Sequence, residues 1–302
     1  MVSAMDDGAL PTDRPIVMDG GMREVIDACV PMVSESEMAK HLRCSGQKVV
    51  LHRGHFWEAI QPGFFRPVNL LARLSAWEAT RPTLACWGYQ ACLTQADAHH
   101  ANAASPAYLV EDFDGFKEEL LPTSRRYKLN KARRRAHLVQ LTGPSLLREQ
   151  GYEVLRSSQE RTGYGAIPTR DQYLAALEFF GEPADGIVLA GLVEGKLGGY
   201  ITGFAVDGTA YVQSVVVSTE FLKTEMSTGL TYEFIYACMR SPGISTMVHG
   251  LHTPENAGLC RYKEWMDLPV RRVPARISML PGAAKIIRRR APHKFYRLTG
   301  RA

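Results

Sequence analysis

The stretch from Gly186 to Ser218, GIVLAGLVEGKLGGYITGFAVDGTAYVQSVVVS, decides the fold. Ile187 to Val193 reads as an apolar strand, Glu194-Gly195-Lys196 as a tight turn, and Gly198 to Val206 as a second strand. Asp207-Gly208 suits a two-residue hairpin, because both central positions of a type I′ turn need positive φ. Thr209 to Ser218 follows as a third strand with the β-branched run Val215, Val216, Val217. Together they predict an antiparallel meander.

Working outward, the pattern beyond Ser218 predicts a loop, a helix over 228–239, a strand over 246–249, a helix over 255–266 and a last strand over 270–279. Pro274 interrupts that last strand, which suits an edge because proline has no N–H for a ladder. Upstream, helices are expected over 144–161 and 171–180, and Ser124 is placed to cap a basic helix with a thin apolar stripe of Tyr127, Leu129, Ala132, Ala136 and Leu138. Further back, Val49–His52, Leu84–Leu93 and Ala107–Val110 suit strands. His55, Phe56, Trp57, Phe64 and Phe65 surround the Pro62-Gly63 turn, as a core plug or a ligand wall. The fold class is thus α+β, or mixed α/β. The expected divisions are a disordered leader over 1–20, an N-terminal α/β region over 21–121, a main domain over 122–282 and a basic tail over 283–302.

The chain has 302 residues and 45% apolar content, which excludes a wholly disordered protein. It has no apolar run long enough to cross a bilayer. Asp6, Asp7, Asp13 and Asp19 against the single Arg14 do not make a signal or transit peptide, so a cytoplasmic location is expected. Cys29, Cys44, Cys86, Cys92, Cys238 and Cys260 form no C-x-x-C pair and read as reduced thiols. The formal charge of +5 is unevenly spread. Arg125, Arg126, Lys128, Lys131, Arg133, Arg134 and Arg135 form one acid-free block, and Lys285, Arg288, Arg289, Arg290, Lys294, Arg297 and Arg301 form another. Setting these 14 aside leaves 22 basic residues against 31 acidic ones. Such blocks either attract polyanions or form solvated faces.

The order of three-strand meander, helix, strand, helix, strand resembles the GNAT acyltransferase superfamily. Within it, the stretch Ser124-Arg125-Arg126-Tyr127-Lys128-Leu129-Asn130-Lys131-Ala132 and the later Arg161-Thr162-Gly163 resemble motifs of the Fem-type branch, whose bacterial members build peptidoglycan cross-bridges. The resemblance covers roughly residues 112–280. It implies a GNAT-like fold: a central mixed, largely antiparallel sheet flanked by helices, with a degenerate second GNAT-like unit in the N-terminal half. It also implies a donor site where Val215 and Val217 lead through Lys223 to a helix opened by Ser227, Thr228 and Gly229. Free N–H groups at such a helix start can hold a phosphate. Asn256 opens the helix that resembles the Asn-led GNAT helix. Three positions differ from the superfamily pattern: the donor loop 223–229 has one glycine and an acid, Lys263 stands where a tyrosine is usual with Tyr262 one residue before, and Asp267-Leu268 replaces Gly-Phe.

For acyl transfer the acceptor must lose a proton, the oxyanion must be held and the leaving group protonated. His249, His252, Tyr262 and Lys263 are the candidate catalytic residues; the His-x-x-His spacing alone is no metal site. Arg125, Arg126, Lys128, Lys131, Arg134 and Arg161 are the candidate substrate or polyanion contacts. Three functions are compatible with these features. The first is an N-acyltransferase that takes a group other than aminoacyl from acyl-CoA, without a metal, to an amine of a small molecule or cell-envelope precursor. The second is a Fem-like aminoacyltransferase using aminoacyl-tRNA held by the basic segments. The third is a non-catalytic module whose basic surface binds nucleic acid or an anionic surface.

Overall fold

The computed structural model describes residues 17–18, 21–163, 166–180 and 185–301. The leader expected over 1–20 lies outside these residues, apart from Val17 and Met18. In chain order the first half holds β1 (Val17–Met18), β2 (Met22–Glu24), β3 (Met32–Val33), α1 (Glu35–Cys44), β4 (Val49–His52), β5 (His55–Gln61), β6 (Phe64–Pro67), β7 (Gly88–Cys92) and β8 (Ala103–Val110). The second half holds α2 (Thr123–Arg135), β9 (His137–Leu141), α3 (Tyr152–Thr162), α4 (Arg170–Ala176), β10 (Ile187–Val193), β11 (Lys196–Val206), β12 (Thr209–Val217), α5 (Met226–Arg240), β13 (Thr246–Leu251), α6 (Ala257–Trp265), β14 (Val270–Met279), α7 (Ala283–Arg290) and α8 (Pro292–Thr299).

All strands join one mixed sheet in the order β1-β2-β9-β10-β11-β12-β13-β8-β14-β7-β6-β5-β4, with β3 beside β11. The meander β10-β11-β12 is antiparallel as expected, and Asp207 (φ 44) and Gly208 (φ 83) supply its second turn. Its strands are apolar almost throughout because both faces are covered. Ile187 and Leu189 face the core under α2 and α5, whereas Val188, Ala190 and Leu192 face the core shared with α3 and α4.

The two halves repeat one plan. In the second, the meander β10-β11-β12 is followed by parallel β13; in the first, β4-β5-β6 is followed by parallel β7. Their fifth strands are exchanged, so β8 of the first half lies between β13 and β14, and β14 lies between β8 and β7. A second GNAT-like unit is therefore present in the N-terminal half, but no helix occupies its β6–β7 crossover. Trp57, Phe65, Leu74 and Leu93 fill the core of that half, each fully buried, so the aromatic cluster at Pro62-Gly63 is largely a core plug.

Several local expectations are corrected. The strand carrying Pro274 is interior, not an edge. The carbonyl of Pro274 accepts the N–H of Leu93 (2.8 Å), so the one reciprocal bond that proline cannot donate falls at Leu93, just past Cys92, the last residue of β7. Helix α2 begins at Thr123 with Pro122 at its cap, and Ser124 lies exposed inside the first turn. The segment expected as a tail forms α7 and α8, and α8 is tied to the sheet by bonds from Gln90 to the Leu298 carbonyl (2.9 Å) and from Arg301 to the Asn102 carbonyl (2.6 Å). Among the described residues, no helix is long and apolar enough to cross a membrane.

Candidate functional site

Strands β12 and β13 pair only from Thr209–Thr246 to Tyr211–Val248, and beyond this the two strands part. At the parting β13 also loses register with β8: Val248 pairs with Leu109, but the next pair is Leu251 with Ala107. His249 and Gly250 form the irregularity, with Gly250 at φ +84. The His249 carbonyl accepts a hydrogen bond from Lys263 Nζ (2.5 Å), which reaches it from α6. Lys263 is 4% exposed and its ammonium lies 4.3 Å from the centroid of the Tyr108 ring, on β8. Burial lowers its pKa from 10.5 to about 8, since an ammonium cut off from water is disfavoured.

Of the residues beside this lysine, Tyr108 and His249 carry polar atoms without protein partners, as does Thr253 in the loop that leads to α6. Tyr108 Oη, His249 Nε2 and Thr253 Oγ1 are buried and make no hydrogen bond among the described residues. Such orphans cost free energy and concentrate where a ligand is met. Burial, aided by the charge of Lys263, pushes His249 down to about 3, so it is neutral at ordinary pH. His252 lies nearby with its pKa lowered chiefly by burial, and its Nδ1 is 2.7 Å from the Tyr296 hydroxyl of α8. Tyr262 is committed to structure: its hydroxyl donates to the Ser227 carbonyl (3.1 Å) and meets Thr231 Oγ1 (3.1 Å), binding α6 to the first turn of α5.

That first turn differs from the expected phosphate cradle. Glu225, at φ 62, precedes α5, and its carboxylate faces Lys128 (3.3 Å) and Lys131 (3.8 Å) of α2. The N–H of Met226 goes to Thr224 Oγ1, and those of Thr228 and Gly229 go to the Glu225 carbonyl. Thr228 and Gly229 are buried, and Ser227 half-buried. A Cβ on Gly229 would come 2.7 Å from the Cβ of Ala132, so this glycine serves the α2–α5 contact. Lys223 is exposed just upstream. Of the strand residues assigned to the donor, Val215 is half-buried and Val217 buried, and Arg161 Nη2 donates to the Val217 carbonyl (3.3 Å). Asn256 caps α6 through its side chain, accepting the Leu259 N–H (3.0 Å).

The basic block is partly neutralised in space. Arg125 pairs with Asp267 (2.9 Å), Lys128 and Lys131 with Glu225, and Arg133 with Glu118 and the buried Glu233 (2.7 Å each). Arg126, Arg134 and Arg135 have no acidic partner among the described residues. Sequence patterning did not single out Tyr108, Thr253, Glu225 or Tyr296 as parts of one site, because each arrives on a different element. One local signal was available: Gly250, a glycine inside an apolar strand, which marks a bulge.

No family model matches the chain, and no curated protein matches it. Solved structures do. L-PGS of Bacillus licheniformis superposes with a TM-score of 0.54 at 13% identity, covering 91% of this chain and 99% of that one. FemX superposes with a TM-score of 0.55 at 9% identity, covering 85% and 92%. The C-terminal domain assigned to a lysylphosphatidylglycerol synthetase of Agrobacterium fabrum gives 0.54 at 10% identity, covering 88% and 95%. With the exchanged fifth strands, these likenesses make the fold GNAT-like, in the Fem-type arrangement.

Proposed function

We propose that this chain is an aminoacyl-type acyltransferase that takes its acyl group from a charged tRNA and passes it to an amine. The observation that carries this reading is Glu225. A pyrophosphate at the start of α5 would meet that carboxylate, and of the first four α5 amides only the Ser227 N–H has no partner among the described residues. The likeness to FemX, L-PGS and the synthetase domain supports transfer of an aminoacyl-type group. Arg126, Arg134 and Arg135 on α2, with Lys223 just before α5 and Arg161 at the end of β12, offer cations for a phosphate backbone.

The neutral acceptor amine attacks the aminoacyl ester, negative charge gathers on the carbonyl oxygen, and the ester C–O bond breaks as the tRNA oxygen is protonated, while the proton shed by the new amide nitrogen passes to solvent. Lys263 supplies an ammonium where β12 and β13 part. With a pKa of about 8 it is mostly charged at neutrality yet gives up its proton at little cost, so it can hold the oxyanion and protonate the leaving oxygen. Tyr108 Oη and His249 Nε2, both without protein partners, belong to the two residues that contact it.

The test pairs two measurements on the full chain. Incubation with tRNA charged with a labelled amino-acid mixture should discharge it in the presence of an amine acceptor, and calorimetry with acetyl-CoA should show no binding. Saturable acetyl-CoA binding together with product formation from the thioester would overturn the proposal in favour of the CoA-dependent reaction.

A further inference from the structure

A cleft of about 690 Å³ opens on the other side of the sheet from Lys263. Successive strand residues point to opposite faces. Tyr108 packs into the core that holds α5, whereas Leu109 lines this cleft and belongs to a separate core cluster. Both halves contribute to it: Glu35 from the start of α1, His55 and Phe56 from β5, Arg73 from the β6–β7 crossover, and Asp207 from the β11–β12 turn.

Its charged groups are arranged around a carboxylate drawn out of water. Ser34 caps α1 in a capping box with Glu37, and Asp207 Oδ2 accepts the Glu35 N–H (3.3 Å). Held there, the Glu35 side chain turns inward and the residue is only 9% exposed. Its Oε2 accepts the Phe56 N–H (3.3 Å) and faces His55 Nδ1 (3.5 Å), while its Oε1 has no partner among the described residues. Burial, opposed by the Phe56 amide and His55 and reinforced by Asp207, pushes this carboxyl above its ordinary value. Arg73 is taken by Glu111 (3.4 Å), and His55 stands between Glu35 and Glu78 (3.8 Å). The cleft is left with an excess of carboxylates and, on the mostly buried Glu35 side chain, one solvent-accessible oxygen without a protein partner, to which a cation can bind.

We propose that this cleft binds a small molecule through a primary ammonium group, with Glu35 Oε1 as its counter-ion, Asp207 as a second acceptor, and Phe56 and Leu71 as walls for an attached methylene chain. Its volume falls within the range of small-molecule sites. The proposal does not depend on the transfer chemistry at Lys263, which lies across the sheet.

The test is calorimetry on the full chain with 1,4-diaminobutane, and 1,4-butanediol as the uncharged control. Binding of the diamine and not of the diol is expected. Glu35→Gln, which keeps the acceptor for the Phe56 amide, should weaken binding by at least about tenfold. Asp207→Asn, which still suits its turn, should weaken it by a few-fold. Lys263→Met should leave it unchanged. Thermal melts establish that each variant is folded. Absence of diamine binding up to about 10 mM, equal binding of the diol, an unaffected Glu35→Gln variant, or loss of binding in Lys263→Met would each overturn the proposal.

Discussion

Lys263 Nζ lies 2.5 Å from the carbonyl oxygen of His249, a contact made possible by a strand irregularity that turns this carbonyl out of the β8–β13 ladder. A lysine on one helix thereby reaches the point where two parallel strands separate. The arrangement leaves an ammonium almost fully out of water without a carboxylate partner among its described ion pairs.

Replacing Lys263 should therefore separate stability from activity. Lys263→Met is expected to lower the transfer rate by about 100-fold or more while raising stability by roughly 1–3 kcal/mol, since a buried charge gives way to an apolar side chain of similar length. Chemical denaturation and a single-turnover assay on the same preparation check both parts. A variant that is less stable and equally active would remove Lys263 from the mechanism.

The pH dependence follows with a definite sign. Lys263 binds its proton more weakly when folded, with a pKa of about 8 against 10.5, so between these values the unfolded chain holds the extra proton. The contribution of Lys263 to stability accordingly rises with pH across that window. The difference in melting temperature between wild type and Lys263→Met should shrink as pH rises from 8 towards 10. Activity should instead fall above about pH 8, as the ammonium is lost.

Gly250 holds φ +84 beside this lysine, and a Cβ there would lie 3.6 Å from Nζ. Gly250→Ala should cost roughly 1–2 kcal/mol through backbone strain alone. It should also change the Lys263 titration, which NMR of the ¹⁵N-labelled ammonium can follow.

At Gly229 the contact is with α2 rather than with a ligand. Gly229→Ala places a Cβ 2.7 Å from that of Ala132 and should destabilise the protein by about 1–3 kcal/mol. Adding Ala132→Gly should restore most of the loss. If Gly229→Ala melts like wild type but loses donor binding, the glycine belongs to the donor site after all.

The free cations of α2 should set the salt dependence of tRNA binding. Changing Arg126, Arg134 and Arg135 together to alanine should reduce the slope of log K against log salt by about 2–3. Changing Arg125, already paired with Asp267 at 2.9 Å, should change it less. Filter binding over a salt series distinguishes these outcomes.

Much of the second half was legible before the structure. The expected strands 187–193, 198–206 and 209–218 correspond to Ile187–Val193, Lys196–Val206 and Thr209–Val217. Burial on both faces and the Asp207-Gly208 turn are strong local signals. Lys263 and His249 were also singled out as chemically active types, and the structure brings them into contact. The edge placement of Val270–Met279 was not legible correctly, because a proline is tolerated inside a sheet where its missing N–H faces the end of the neighbouring strand. The integration of the last twenty residues was equally hidden: their run of cations gives no sign that Tyr296 meets His252 across 44 positions.

By itself the sequence determined the meander, the helix–strand–helix–strand order that follows it, and where positive charge is concentrated along the chain. These follow from hydrophobic period and turn chemistry, which act over a few residues. Only the tertiary structure decided what that charge does and what the candidate residues face. Arg125 and Arg133 are neutralised by Asp267 and Glu233, which lie 142 and 100 positions away. Lys263 loses water because β8, from the other half of the chain, is inserted between β13 and β14 and carries Tyr108 beneath it. Electrostatic neutralisation and desolvation depend on distance in space: the packing of α2 against α5 brings Arg133 to Glu233, and the exchange of fifth strands brings Tyr108 to Lys263.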